Sequence, residues 1–269
     1  MRISVEHVTR YKYESEAAYS VQCLRMTPSN FDGQRTLQWS ITTRPSSKLM
    51  PSRDGFGNTL HLMTITELHS EIEIRLAGSV EVENRQGVVS GAPDFAPLRV
   101  YLRRTPLTIA GDELEEFTRA VASADRISLL HELSGRIRDH IDYRPGVTDP
   151  ATSAAEAFKA GNGVCQDHAH VFIAACRTLE IPARYVTGYL LLADEDRAEA
   201  HHAWAEAWVD GLGWLAFDVA NRICPTDHYV RMAVGLDAHG ASPVRGSRRG
   251  GGVENLAVAV HVARGMSQQ

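Results

Sequence analysis

Alternating apolar and polar positions dominate the first 90 residues of the chain. The alternation starts in the run 3–13 and returns in four shorter runs, at 37–41, 60–62, 72–76 and 80–82. Clusters of Pro, Gly, Ser and Asn separate these runs, at 28–30, 45–47 and 54–58. Short strands with turns at this spacing are typical of a β-sandwich. The pattern therefore predicts a β-sandwich-like domain over residues 1–92.

Beyond residue 91 the alternation gives way to helical spacing. Apolar positions three and four apart predict helices at 112–122, 126–141, 153–158 and 165–179. Asp112 and Asp125 stand where N-cap residues are expected, and Pro182 limits the last helix. These helices open a second domain, predicted over residues 93–269.

Strand patterns fill the rest of the second domain. They are predicted at 183–192, 203–209, 214–218, 229–234 and 253–263. Residues 245–252, rich in Gly and Arg, predict a flexible turn. Helices followed by strands joined through tight turns predict an α+β fold for this domain.

Composition excludes several classes of protein. Hydrophobic residues make up 43% of the 269 residues and charged residues 23%, which is ordinary for a globular chain. The net charge of −5 argues against a nucleic-acid partner. No apolar run is long enough for a membrane span, and residues 1–16 lack the apolar core of a signal peptide. We therefore expect a cytoplasmic protein with four reduced cysteines and no membrane partner.

One cysteine has a position suited to chemistry. Cys165 follows the loop Gly161-Asn162-Gly163 and begins the predicted apolar helix. A helix N-terminus presents unpaired N–H groups and a partial positive charge, and both favour a thiolate. The same N–H groups can hold the oxyanion of a tetrahedral intermediate. The alternative is a small buried hydrophobic residue, and we assign that role to Cys23, Cys176 and Cys224.

A predicted hairpin supplies partners for this cysteine. His202 lies near the start of its first strand and Asp218 at the end of its second, with a turn at 210–213 between them. These two ends are neighbours in an antiparallel hairpin, so the imidazole and the carboxylate can form a pair. A thiol nucleophile needs such a base and an orienting acid. Cys165, His202 and Asp218 are therefore the predicted catalytic residues.

The sequence contains no pattern that indicates a metal site or a cofactor site. His168 and His170 point about 200° apart on one helix, and His201 and His202 point to opposite faces of one strand. No zinc motif, phosphate loop or dinucleotide fingerprint is present. We expect no metal and no cofactor.

Five motifs resemble the transglutaminase-like superfamily, in its bacterial branch of transglutaminase-like cysteine proteases. They are YRPG at 143–146, GVCQDxAH at 163–170, IPARYVxGY at 181–189, HAWAE at 202–206 and GWxxFD at 213–218. The resemblance implies a papain-like core, in which a cysteine-bearing helix packs on an antiparallel sheet. It also places the family's nucleophile, base and acid on Cys165, His202 and Asp218, and implies a β-rich N-terminal region.

The expected function is cysteine-dependent hydrolysis of an amide or peptide bond in a peptide or protein substrate, through a thioester. Two alternatives remain open. An amine that intercepts the thioester would make the same residues a transglutaminase, and a chain that kept the fold without the chemistry would be a binding module. The sequence departs from the family at His168, where an aromatic residue is usual. His168 either approaches the thiolate or packs as a ring.

Overall fold

The computed structural model of the protein describes residues 1–123, 125–192 and 201–265. Within those ranges the helices are α1 (Gly111–Arg119), α2 (Arg126–His140), α3 (Ala154–Ala160) and α4 (Cys165–Thr178). The first strands are β1 (Arg2–Thr27), β2 (Gln34–Arg44), β3 (Met50–Arg53), β4 (Thr59–Ile65), β5 (His69–Val82) and β6 (Val88–Val89). The later strands are β7 (Asp142–Tyr143), β8 (Asn162–Gly163), β9 (Ala183–Leu190), β10 (His201–Val209), β11 (Gly213–Phe217), β12 (Tyr229–Gly235), β13 (Val244–Gly250) and β14 (Glu254–Arg264).

The long strand β1 organises the first sheet. Its first half lies between β5 and β14, and its second half lies between β4 and β13, all in antiparallel pairing. β2 joins through β5, and β3 joins through β4. Apolar side chains from both halves of β1, among them Ile3 and Leu24, meet in one buried cluster. The predicted N-terminal sheet region is therefore confirmed.

The second sheet has the antiparallel order β12-β9-β10-β11-β6, and α4 packs against it. Ala203, Ala205 and Ala207 alternate along β10 and present small side chains to the helix. Phe172 and Cys176 of α4 pack in the same buried cluster. A helix on an antiparallel sheet confirms the predicted α+β class, and it fixes the start of α4 relative to β10.

The predicted division at residues 92 and 93 does not separate the two sheets. β6, from the first segment, pairs with β11 of the second sheet. β13 and β14, from the second segment, pair with β1 of the first sheet. Tyr189 and Met232 of the second sheet also belong to the buried cluster of the first. Each predicted segment therefore supplies strands to the other's sheet, and the two sheets share a buried cluster. The sequence did not reveal this exchange, because apolar alternation predicts a strand but not its partner.

The predicted flexible turn at 245–252 is largely a strand. Residues 244–250 form β13, which pairs with β1 along 17–24. Gly246 is needed there, because a Cβ at this position would lie 2.1 Å from the carbonyl oxygen of Val21. Gly246 thus allows β13 to lie close to β1. The Gly- and Arg-rich composition of this segment indicates only a flexible turn.

One of the two predicted helix caps is confirmed. Asp125 caps α2, and its carboxylate accepts a hydrogen bond from the Ser128 N–H at 2.9 Å. Asp112 instead lies in the first turn of α1, which begins at Gly111. Among the described residues, no helix has both the length and the apolar character needed to cross a membrane.

Candidate active site

Cys165 is the first residue of α4, as the sequence predicted. The carboxylate of Asp167 folds back over this turn, where it accepts hydrogen bonds from the Val164 N–H at 2.8 Å and the Thr148 hydroxyl at 2.7 Å. Gly163 must be a glycine, because a Cβ there would lie 2.7 Å from the Asp167 Cβ. Asp167 therefore ties the preceding loop to the helix start and fixes the position of the Cys165 thiol, which is partly exposed.

The predicted hairpin brings His202 and Asp218 together. β10 and β11 pair antiparallel, with Ala205 opposite Phe217, so Asp218 leaves β11 on the same side as His202. His202 Nε2 lies 2.7 Å from Asp218 Oδ2, and both side chains are buried. The Cys165 thiol lies close enough to His202 to help raise the pKa of the imidazole. Since Nε2 bonds Asp218, Nδ1 is the ring nitrogen available to the thiol.

Two further side chains hold the Asp218 carboxylate. Asp218 Oδ2 accepts hydrogen bonds from the Tyr229 hydroxyl at 2.6 Å and from Asn221 Nδ2 at 2.7 Å. Burial opposes ionisation of Asp218, but the hydrogen bonds from His202, Tyr229 and Asn221 outweigh it and lower the pKa of Asp218. Burial and the Asp218 charge raise the pKa of Tyr229, which keeps its hydroxyl a donor.

The environment favours a charged imidazole at His202. Burial alone would lower the pKa of His202, but its hydrogen bonds to Asp218 and Cys165 raise the pKa above the ordinary value of 6.5. An imidazolium between a carboxylate and a thiol is the arrangement that stabilises a thiolate.

His168 and His170 take structural positions. Both ring nitrogens of His168 face backbone carbonyls, those of Val164 at 2.8 Å and Ile141 at 3.1 Å, so this ring packs and does not approach the thiol. His170 Nε2 accepts a hydrogen bond from the Ala238 N–H at 3.0 Å. Because the Ala238 N–H is the donor, Nε2 of His170 carries the lone pair and its ring is the Nδ1–H tautomer.

A cleft of about 480 Å³ opens at Cys165. Residues of both sheets line it: His201 comes from β10 of the second sheet, and His7 and Tyr11 come from β1 of the first. His201 Nε2 lies 3.0 Å from the Thr187 hydroxyl. The contribution of β1 agrees with the expectation that ligand clefts form where structural units meet.

A buried network of charged side chains connects strands of the second sheet. The Glu206 carboxylate bonds Arg184 at 2.6 Å and Arg231 at 2.7 Å, joining β10 to the adjacent strand β9 and to β12 beyond it. Arg184 also bonds Asp94 at 2.9 Å and packs 3.8 Å from the Trp214 ring. Arg184 is fully buried, so its contacts are internal to the protein and not available to a substrate.

The comparisons with known proteins agree with this architecture. The bacterial transglutaminase-like N-terminal region matches residues 3–81, and the transglutaminase-like superfamily matches residues 115–219. The chain therefore belongs to the transglutaminase-like superfamily.

Its relatives span nearly the whole chain. An uncharacterised protein of Mycobacterium leprae is 29% identical over 277 residues, which covers 98% of this chain and 99% of that protein. An uncharacterised protein of Mycobacterium tuberculosis is 29% identical over 275 residues and covers 91% and 87%. A solved structure from Cytophaga hutchinsonii, provisionally described as a cysteine protease, has a TM-score of 0.79 at 21% identity and covers 100% of this chain and 92% of that one. It has the same fold.

Proposed function

We propose that the protein is a cysteine-dependent amide or peptide hydrolase. The observation that carries this proposal is the position of His202, whose ring bonds Asp218 at 2.7 Å and whose pKa is raised by Asp218 and by the nearby Cys165 thiol. A thiol, an imidazole and a buried carboxylate in this order form the constellation of thiol acyl transfer. The Cytophaga hutchinsonii neighbour, described in the same terms, is consistent with it.

The chemistry follows from these contacts. The Cys165 sulfur attacks the carbonyl carbon of the amide, and the thiol proton resides on His202. The Cys165 N–H, at the start of α4, faces the developing oxyanion together with the positive end of the helix. His202 then protonates the leaving amine, and a thioester on Cys165 remains.

Water completes the cycle. His202 accepts a proton from the incoming water, and the acid product leaves the thiol restored. Asp218 keeps the imidazole oriented through both halves, and Tyr229 and Asn221 keep Asp218 in place. We place this activity in the cytoplasm, where four unpaired cysteines remain reduced.

A library of peptidyl coumarin amides tests the proposal. We expect coumarin release by the native chain, and a loss on the order of 10⁶-fold in Cys165→Ala, because the bond-forming atom is removed. Cys23→Ala is the matched control and should retain full release. Equal release by the Cys165→Ala variant would contradict the proposal. Product formed as an amide of an added primary amine, in preference to the free acid, would instead identify a transglutaminase.

A further inference from the structure

One wall of the cleft at Cys165 is a two-stranded ladder, formed by the paired strands β1 and β14 of the first sheet. His7, Thr9 and Tyr11 alternate along β1, and they pair with Val260, Val258 and Leu256 of β14. Side chains at every second position of a strand share one face. All six therefore point into the cleft that holds Cys165.

This wall is largely apolar and carries no formal charge. Among the described residues that line the cleft there is no Lys, Arg, Asp or Glu. The polar atoms of His7 are engaged, with Nδ1 2.9 Å from the Tyr189 hydroxyl and Nε2 3.0 Å from the Thr9 hydroxyl. Burial lowers the pKa of His7 to about 3, so its ring is neutral at pH 7.

Two apolar side chains of the ladder are left open to solvent. Leu256 and Val258 are each 53% exposed. Within the described part of the chain, β14 pairs with β1 alone, so the other edge of β14 has no neighbouring strand. Leu256 and Val258 are therefore not covered from that edge. Apolar groups that line the same cleft as the reactive thiol are placed to contact the group bound next to that thiol.

We infer that Leu256 and Val258 select an uncharged, apolar side chain on the acyl portion of the substrate. The inference rests on the proposed function and names the substrate class for the same site. An apolar side chain would cover Leu256 and Val258, whereas a carboxylate beside them would lose water where the lining supplies no Lys or Arg. Burial of one such side chain corresponds to about a 10- to 100-fold preference.

Two peptidyl chloromethyl ketones test this inference through labelling of Cys165, without requiring turnover. They differ only in the side chain beside the reactive carbon, leucine in one and glutamate in the other. We expect the native chain to react about 10- to 100-fold faster with the leucine reagent. Val258→Asn and, independently, Leu256→Asn remove the apolar contact without adding a charge, and each should reduce that preference at least about tenfold. Thermal melting confirms that each variant is folded.

Ala257→Asn is the matched control, since Ala257 lies on the same strand, is also exposed and points to the opposite face. It should keep the native preference. Equal labelling of the native chain by the two reagents, or equal effects of Ala257→Asn and Val258→Asn, would overturn the inference. The rate at which iodoacetamide alkylates Cys165 distinguishes failure of this inference from failure of the proposed function. If it labels Cys165 rapidly while the ketones show no preference, only the inference fails; if Cys165 resists iodoacetamide, the proposed function fails.

Discussion

Asp218→Asn should lower kcat/KM for coumarin release about 10⁴-fold while leaving the chain folded. Asp218 accepts three hydrogen bonds on one oxygen, from His202, Tyr229 and Asn221. An asparagine keeps the shape of this side chain but loses its charge, so the imidazolium loses its counter-ion and the ring its required tautomer. The measurement is steady-state kinetics with the same coumarin substrate for both proteins.

Asp210→Asn is the control for this substitution. Asp210 lies at the turn of the same hairpin, where it accepts a hydrogen bond from Trp208 at 3.0 Å, at the other end of the strands from His202. We expect its kcat/KM to stay within twofold or so of the native value. An Asp218→Asn variant that is folded and loses less than about tenfold would show that the carboxylate does not orient His202.

Glu206→Ala should cost about 3–5 kcal/mol of unfolding free energy, because it leaves two buried guanidinium groups without their shared partner. Burial raises the pKa of Glu206, but Arg184 and Arg231 outweigh it and bring the pKa down to about 2, from an ordinary value of 4.5. Since the folded-state pKa is the lower one, this carboxylate stabilises the fold above pH 4.5, and the contribution declines as the pH falls toward 2.

Urea unfolding at neutral pH measures this loss. Glu132→Ala is the control, because Glu132 forms an exposed pair with Arg136 on α2 and its removal should change stability by less than about 1 kcal/mol. A Glu206→Ala loss as small as that of the control would show that the buried network contributes no net stability to the sheet that carries His202.

The local sequence was sufficient for the features that depend on short-range order. A glycine-containing loop before an apolar helix placed Cys165 at the helix start, and one tight hairpin placed His202 beside Asp218. Asp167 lies in the first turn after that loop, where a carboxylate suits unpaired N–H groups, and its bond to the Val164 N–H follows from that position.

Features that depend on the pairing of strands far apart in the sequence could not be predicted from local patterns. The strand character of 253–263 was evident, but its partner β1 is more than 200 residues away, and nothing local specifies that pairing. Tyr229 likewise begins a strand of ordinary composition, and its bond to Asp218 appears only when β12 reaches the end of the hairpin. The wall formed by Leu256 and Val258 was missed for the same reason.

The rate of Cys165 alkylation by iodoacetamide, mapped by peptide mass spectrometry in the native chain and in His202→Ala, tests the central claim most directly. Cys176 is fully buried, and burial raises the pKa of both Cys176 and Cys224, so these thiols should react slowly. We expect Cys165 to be labelled first at pH 6.5, ahead of the partly exposed Cys23, and to lose that advantage in His202→Ala. Equal rates at Cys165 and Cys23 in the native chain, or an unchanged Cys165 rate in His202→Ala, would contradict the account.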